Sequence, residues 1–124
     1  MIIRDATSTL EELAKTFKAI ALMGPRQSGK TTLAKACFPG KPYVSLENPV
    51  ELNLALADPI GFLSRFPQGA ILDEVQRAPQ LFSYLQQILD ERPQKAQFIL
   101  SGSNNFLLLE SITQSLAGRV GYID

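Results

Sequence analysis

The stretch "AIALMGPRQSGKTTL", Ala19 to Leu33, joins a short apolar run to a glycine-containing turn and then to helix-forming residues. Ala19–Met23 is continuous and apolar, the pattern of a strand covered on both faces, and Gly24 with Pro25 ends it. Lys30–Cys37 suits a helix, stopped by Phe38, Pro39 and Gly40. Between them, Gly24 to Thr31 matches the pattern G-x-x-x-x-G-K-[ST], in the strand–loop–helix context that the pattern requires. The chemistry explains the spacing. Glycines let the backbone fold tightly and turn its N–H groups inward around an anion, and the helix start adds unpaired N–H groups and the positive end of its dipole. Lys30 would reach the β- and γ-phosphates of a nucleotide, and the Thr31 hydroxyl would ligate Mg²⁺. Gly24, Pro25, Arg26, Gln27, Ser28, Gly29, Lys30, Thr31 and Thr32 are therefore the candidate phosphate-binding residues. The competing reading, a glycine turn beside a surface lysine, explains neither the flanking strand nor the helix. Arg26 is read as facing solvent in preference to a phosphate.

Outward from this stretch the chain alternates strands and helices. Ser8 and Glu11 have capping-box spacing, so "TLEELAKTF" reads as a helix with Leu10, Leu13 and Phe17 on one face. Tyr43–Leu46 supplies a second strand, Pro49 opens the helix "PVELNLALA", and Asp58 with Pro59 closes it and opens a shorter one, "IGFLSRF". Ala70–Glu74, "AILDE", is a third strand. Pro79 begins an amphipathic helix carrying Leu81, Phe82, Leu85, Ile88 and Leu89 on one face, interrupted by Pro93. "FIL" is a fourth strand running into "SGSNN", "FLLLESITQSLAG" is helical with Gly118 as its cap, and "VGYID" starts a fifth strand. Such alternation implies parallel βαβ units and an α/β fold with helices on both faces of an open sheet, whose ligands bind beyond the carboxyl ends of the strands. There is no internal repeat, and residues 1–124 read as one domain.

Further polar clusters fall at those ends. Asp73 and Glu74 close strand three, where adjacent carboxylates call for a cation: Asp73 is the candidate Mg²⁺ partner through water, and Glu74 the group that orients and deprotonates an attacking water. Ser101, Ser103, Asn104 and Asn105 lie at the end of strand four. Ser103 and Asn104 are candidates for placing that water or sensing the phosphate, while turn chemistry or helix capping by Asn104 or Asn105 explains the same residues. Arg119 is a candidate for stabilising charge on the γ-phosphate, in cis or from a neighbouring subunit, or else a helix-end arginine favoured by the dipole. Glu47, Gln76 and Arg77 stand near the expected site without a role that their type decides.

Composition narrows the classes. In 124 residues the chain has 45% hydrophobic residues and twelve Lys+Arg against twelve Asp+Glu. That describes a globular domain with one core, burying about two thirds of its unfolded surface. Zero net charge gives no support to nucleic-acid binding driven by phosphate neutralisation. Cys37 is the lone cysteine, so no internal disulfide forms; it reads as a small buried hydrophobe. With no signal-like segment and no apolar run near the ~18 residues of a membrane span, a cytoplasmic location is expected.

The motifs "GPRQSGKTTL", "ILDEVQRAPQLFSYLQ" and "FILSGSNNFLLLESITQSLAGRV" together resemble the predicted AAA-superfamily P-loop ATPases of bacteria and archaea over nearly the whole chain. The resemblance implies a P-loop NTPase three-layer fold with a parallel sheet in the order 5-1-4-3-2. It also implies ATP with Mg²⁺ as ligand, Lys30 and Thr31 as phosphate and metal contacts, Asp73 and Glu74 as the acid pair, and a polar sensor in "SGSNN". Proteins of that family continue beyond the fifth strand, so this chain is expected to be the N-terminal ATPase core of a longer protein, truncated at strand five, with a missing C-terminal domain or a homo-oligomer as possible partners. The expected function is Mg²⁺-dependent ATP hydrolysis. The alternative is a nucleotide-dependent switch or interaction module with negligible turnover of its own, and a small-acceptor kinase is a weaker third reading.

Overall fold

The computed structural model describes residues 3–24 and 29–123. Its elements in chain order are α1 (Ile3–Thr16), β1 (Ala19–Leu22), α2 (Lys30–Cys37), β2 (Tyr43–Ser45), α3 (Pro49–Ala57), α4 (Pro59–Ser64), β3 (Ala70–Asp73), a 3-10 turn (Val75–Arg77), α5 (Leu81–Glu91), β4 (Phe98–Ser101), α6 (Asn105–Ser115) and β5 (Val120–Ile123). The strands form one parallel five-stranded sheet in the order β2-β3-β4-β1-β5, which is the expected 5-1-4-3-2 read from the other edge. β5 pairs with β1 along its whole length, from Ala19 opposite Val120 to Leu22 opposite Ile123.

Strand periodicity divides the core. Ala19 and Ala21 of β1 face one side, with Leu72, Phe98 and Leu100, and are covered by Phe62 and Leu63 of α4, Phe82 and Leu85 of α5, and Leu108 and Ile112 of α6. Ile20 and Leu22 face the other side with Ile71, Ile99 and Ile123, under Leu10 of α1 and Ala34 of α2. All four β1 residues are buried, which explains why this strand reads as an unbroken apolar run and not as an alternating one.

Local chemistry sets most of the boundaries. Asn48 accepts a hydrogen bond from the Val50 N–H at 3.0 Å, and Asp58 accepts one from the Gly61 N–H at 3.0 Å, so Pro49 and Pro59 each occupy a first helical turn whose missing donor is harmless. The boundary read from Ser8 and Glu11 is corrected. α1 begins at Ile3 and both residues lie inside it, because the backbone before Ser8 contains no glycine or proline to stop the helix. Strand three ends at Asp73, one residue earlier than expected, since Glu74 turns into the left-handed region at φ 54°.

Gly69, at φ 86°, makes the turn into β3 with its α-carbon packed against the Gln97 backbone, where a β-carbon would collide with the Gln97 carbonyl. Gly69→Ala is therefore expected to destabilise the domain by about 2 kcal/mol or more. Gly40→Ala, whose β-carbon meets nothing within 4 Å, should stay within about 0.5 kcal/mol of the parent. Urea denaturation midpoints of the two variants check the difference.

Candidate functional site

Parallel pairing brings the carboxyl ends of β1, β4 and β3 to one edge of the sheet. Leu22 pairs with Ser101, and the Ser101 hydroxyl donates to Asp73 Oδ1 at 2.8 Å, so three strand ends are linked side by side. From the end of β1 the chain reaches Gly24 and then, beyond residues 25–28, Gly29 at φ 82°, which precedes α2 and offers no capping side chain. With no side-chain cap at Gly29, the amino-terminal end of α2 has the form that favours an external anion. Lys30, only 6% exposed, donates from Nζ to the Gly24 carbonyl at 2.9 Å, which brings its ammonium to the end of β1. Thr31 and Thr32 are the next residues of α2, the first half-buried and the second exposed. Pro25, Arg26, Gln27 and Ser28 lie outside the described residues.

The acid pair is held from several directions. Asp73 Oδ1 accepts from the Ser101 hydroxyl and from the Glu74 N–H at 3.0 Å, and Oδ2 accepts from the Tyr43 hydroxyl at 2.8 Å. Glu74 is 3% exposed. Its Oε1 accepts from the Ser103 hydroxyl at 2.6 Å, and its Oε2 accepts from the Ser103 N–H at 2.8 Å and the Gln76 side-chain amide at 2.9 Å. A buried carboxylate requires such donors, because leaving it without them costs several kcal/mol. The left-handed backbone at Glu74 turns its side chain away from the strand and toward the tip of β4.

Tyr43 completes the arrangement. Its ring carries Lys35 Nζ at 4.0 Å from the centroid, a cation–π contact that ties α2 to β2. Burial, and then the hydrogen bond to the charged Asp73, push the phenol up to about 12, while the Ser45 hydroxyl works weakly the other way. The group is a neutral donor throughout the physiological range. Cys37, expected as a small buried hydrophobe, is only partly buried: it lies against the α1–α2 core, and burial raises its thiol above the usual value.

Several expectations change. Asn104 is the N-cap of α6, accepting from the Leu107 N–H at 3.0 Å, so of its two readings the structure supports capping. The neighbouring Asn105 is the residue that touches the phosphate loop: its Oδ1 accepts from the Gly24 N–H at 3.0 Å. Ser103 is at the site through Glu74. Arg119 is corrected for a role within one copy, because it precedes β5 at the amino-terminal edge of the sheet, opposite the acid pair. There it forms a two-pronged ion pair with Asp90, at 2.6 and 3.1 Å, and holds that carboxyl below its usual range. Ser101, Gln76 and above all Tyr43 had no assigned role in the sequence. The neighbouring of β3 with β4 and β2 brings Ser101 and Tyr43 to the acid pair, and the turn after β3 brings Gln76.

The family model described as "AAA domain" matches residues 16–124. Two uncharacterized mycobacterial proteins, from Mycobacterium bovis and Mycobacterium tuberculosis, are each 37% identical over 123 residues; the match covers 98% of this chain and 28% of theirs. Among solved structures, a Walker-type ATPase of Pyrococcus abyssi superposes with a TM-score of 0.64 at 19% identity, over 96% of this chain and 51% of that one. The P-loop NTPase domain of a sigma-54 transport activator from E. coli superposes with a TM-score of 0.58 at 16% identity, over 97% and 92%. These likenesses establish the P-loop NTPase fold, for which nucleotide binding is the general property. No described helix is long and apolar enough to cross a membrane. With its sheet order, its loop between β1 and α2, and a family match over most of its length, the chain belongs to the AAA-domain family of P-loop NTPases.

Proposed function

We propose that the protein binds ATP with Mg²⁺ and hydrolyses the β–γ bond by in-line attack of water, residues 1–124 acting as one ATPase core. The observation that carries this reading is the placement, at one sheet edge, of a buried lysine in the first turn of α2 and a buried glutamate beside an aspartate at the end of β3. Lys30 and the first N–H groups of α2 bind the phosphates, Thr31 and Asp73 hold the cation, and Glu74 receives the proton of the attacking water. Ser103 and Gln76 fix the direction of the Glu74 carboxylate.

The donor set fits magnesium. No group of three or more His, Cys, Asp or Glu side chains gathers into a metal cage among the described residues, and magnesium needs none, since it keeps several waters and takes further oxygens from phosphate. When bound, a magnesium ion held by Thr31 and Asp73 would neutralise negative charge that develops on the phosphates during transfer. A second reading, a nucleotide-dependent switch with negligible turnover alone, draws support from the hold on Glu74, whose two oxygens are both engaged by Ser103.

Removing the Lys30 ammonium, a charged donor, should weaken ATP binding about tenfold to a hundredfold. In Glu74→Gln, affinity should stay within about threefold while phosphate release falls by roughly 10² to 10⁴. Calorimetric binding and a phosphate-release assay on the parent, Lys30→Ala and Glu74→Gln test this, and identical behaviour of all three would end the proposal. Ser103→Ala, which deletes one positioning hydrogen bond and keeps the N–H, should lower kcat about tenfold at unchanged affinity. A rise in kcat would favour the switch.

A further inference from the structure

We propose that Tyr43 is a positioning residue of the metal–nucleotide pocket, its hydroxyl setting which lone pair of Asp73 meets the cation's water shell. This rests on the reading of Asp73 as a magnesium partner given above. A carboxylate offers about four lone-pair sites, two on each oxygen. On Asp73, Oδ1 has both of its sites taken, by the Ser101 hydroxyl and the Glu74 N–H, and Oδ2 has one taken by Tyr43. One site remains. It lies on Oδ2, next to the phenol oxygen, on the side of the sheet where β2 is the edge strand and Tyr43 is 36% exposed. The hydroxyl donates its proton to Asp73 and so presents its own lone pairs beside that site.

The rest of the tyrosine is braced for this task. Lys35 lies over its ring, and Lys35 is one helical turn beyond Thr31 on the same face of α2. The contacts Lys35 to Tyr43 to Asp73 thereby span the two elements that carry the proposed metal partners, Thr31 and Asp73. Without the hydroxyl, Asp73 Oδ2 loses its hydrogen-bond partner among the described residues, and the carboxylate is free to present either lone pair of that oxygen.

Tyr43→Phe keeps the ring under Lys35 and removes the hydroxyl alone. Titration calorimetry with a nonhydrolysable ATP analogue, in EDTA and across a magnesium series, reads the consequence without turnover. The expected result is an affinity in EDTA within about twofold of the parent and a magnesium half-saturation raised about fivefold to tenfold, the size of one hydrogen bond. In Asp73→Asn the half-saturation should rise as well, and adding Tyr43→Phe to it should change little, because the hydroxyl acts through Asp73. An unchanged or lowered half-saturation in Tyr43→Phe, or an equal loss in EDTA and in magnesium, would overturn the proposal. Failure of the parent itself to bind the analogue would instead remove the ATP reading on which it stands.

Discussion

Side-by-side parallel pairing of β1, β4 and β3 is the constraint on which the site depends. Parallel strands share a direction, so their carboxyl ends open at one edge, and the chain must leave each strand there through a loop. Hydrogen bonding of Ala19 to Leu22 against Phe98 to Ser101, and of Ala70 to Leu72 against Phe98 to Leu100, sets the register to the residue. A slip of one position would turn Asp73 from the α2 side to the opposite face and separate it from the Ser101 hydroxyl.

Around this edge the protein keeps two charged side chains away from bulk water. Lys30 and Glu74 are 6% and 3% exposed, and each is tied to backbone: Lys30 to the Gly24 carbonyl, Glu74 to the Ser103 N–H. Fixed dipoles take the place of solvent, and electrostatic interactions there are stronger than in water. The left-handed backbone at Glu74 costs about 1–2 kcal/mol, and the hydrogen bonds from Ser103 and Gln76 offset it. Asn105 adds a further tie, joining the first turn of α6 to Gly24. Gly24, the acid pair and the tip of β4 are therefore linked through hydrogen bonds and the short connection into α6.

The chain spans 28% of the length of the mycobacterial relatives it matches, and its described residues form a five-stranded sheet. The acid pair, Ser101 and the end of β1 lie at the inner strands, and Tyr43 lies at the rim. β2, the edge strand, contributes Tyr43, and with it a neutral phenol whose titration burial and the neighbouring carboxylate push further up. A hydroxyl in that position offers a donor to Asp73 without bringing a second charge to the edge.

The linear sequence determined what depends on neighbours along the chain: the apolar run of β1, the glycine turn, the bounds of α2 and α3, and the acid pair at the end of β3. Those features are local, decided by propensity, capping and periodicity within a few residues. It did not determine whether Asn104 caps or senses, that Asn105 reaches Gly24, that Gln76 and Ser103 hold Glu74, or that Arg119 stands at the far edge paired with Asp90. Each of those contacts, apart from the cap, joins residues on different elements or across a turn. Tyr43 and Asp73 are 30 positions apart, and nothing in either residue's surroundings announces the other. Their meeting follows from strand order and register, which are settled only when the whole sheet assembles and hydrogen-bonding partners distant in sequence become neighbours in space.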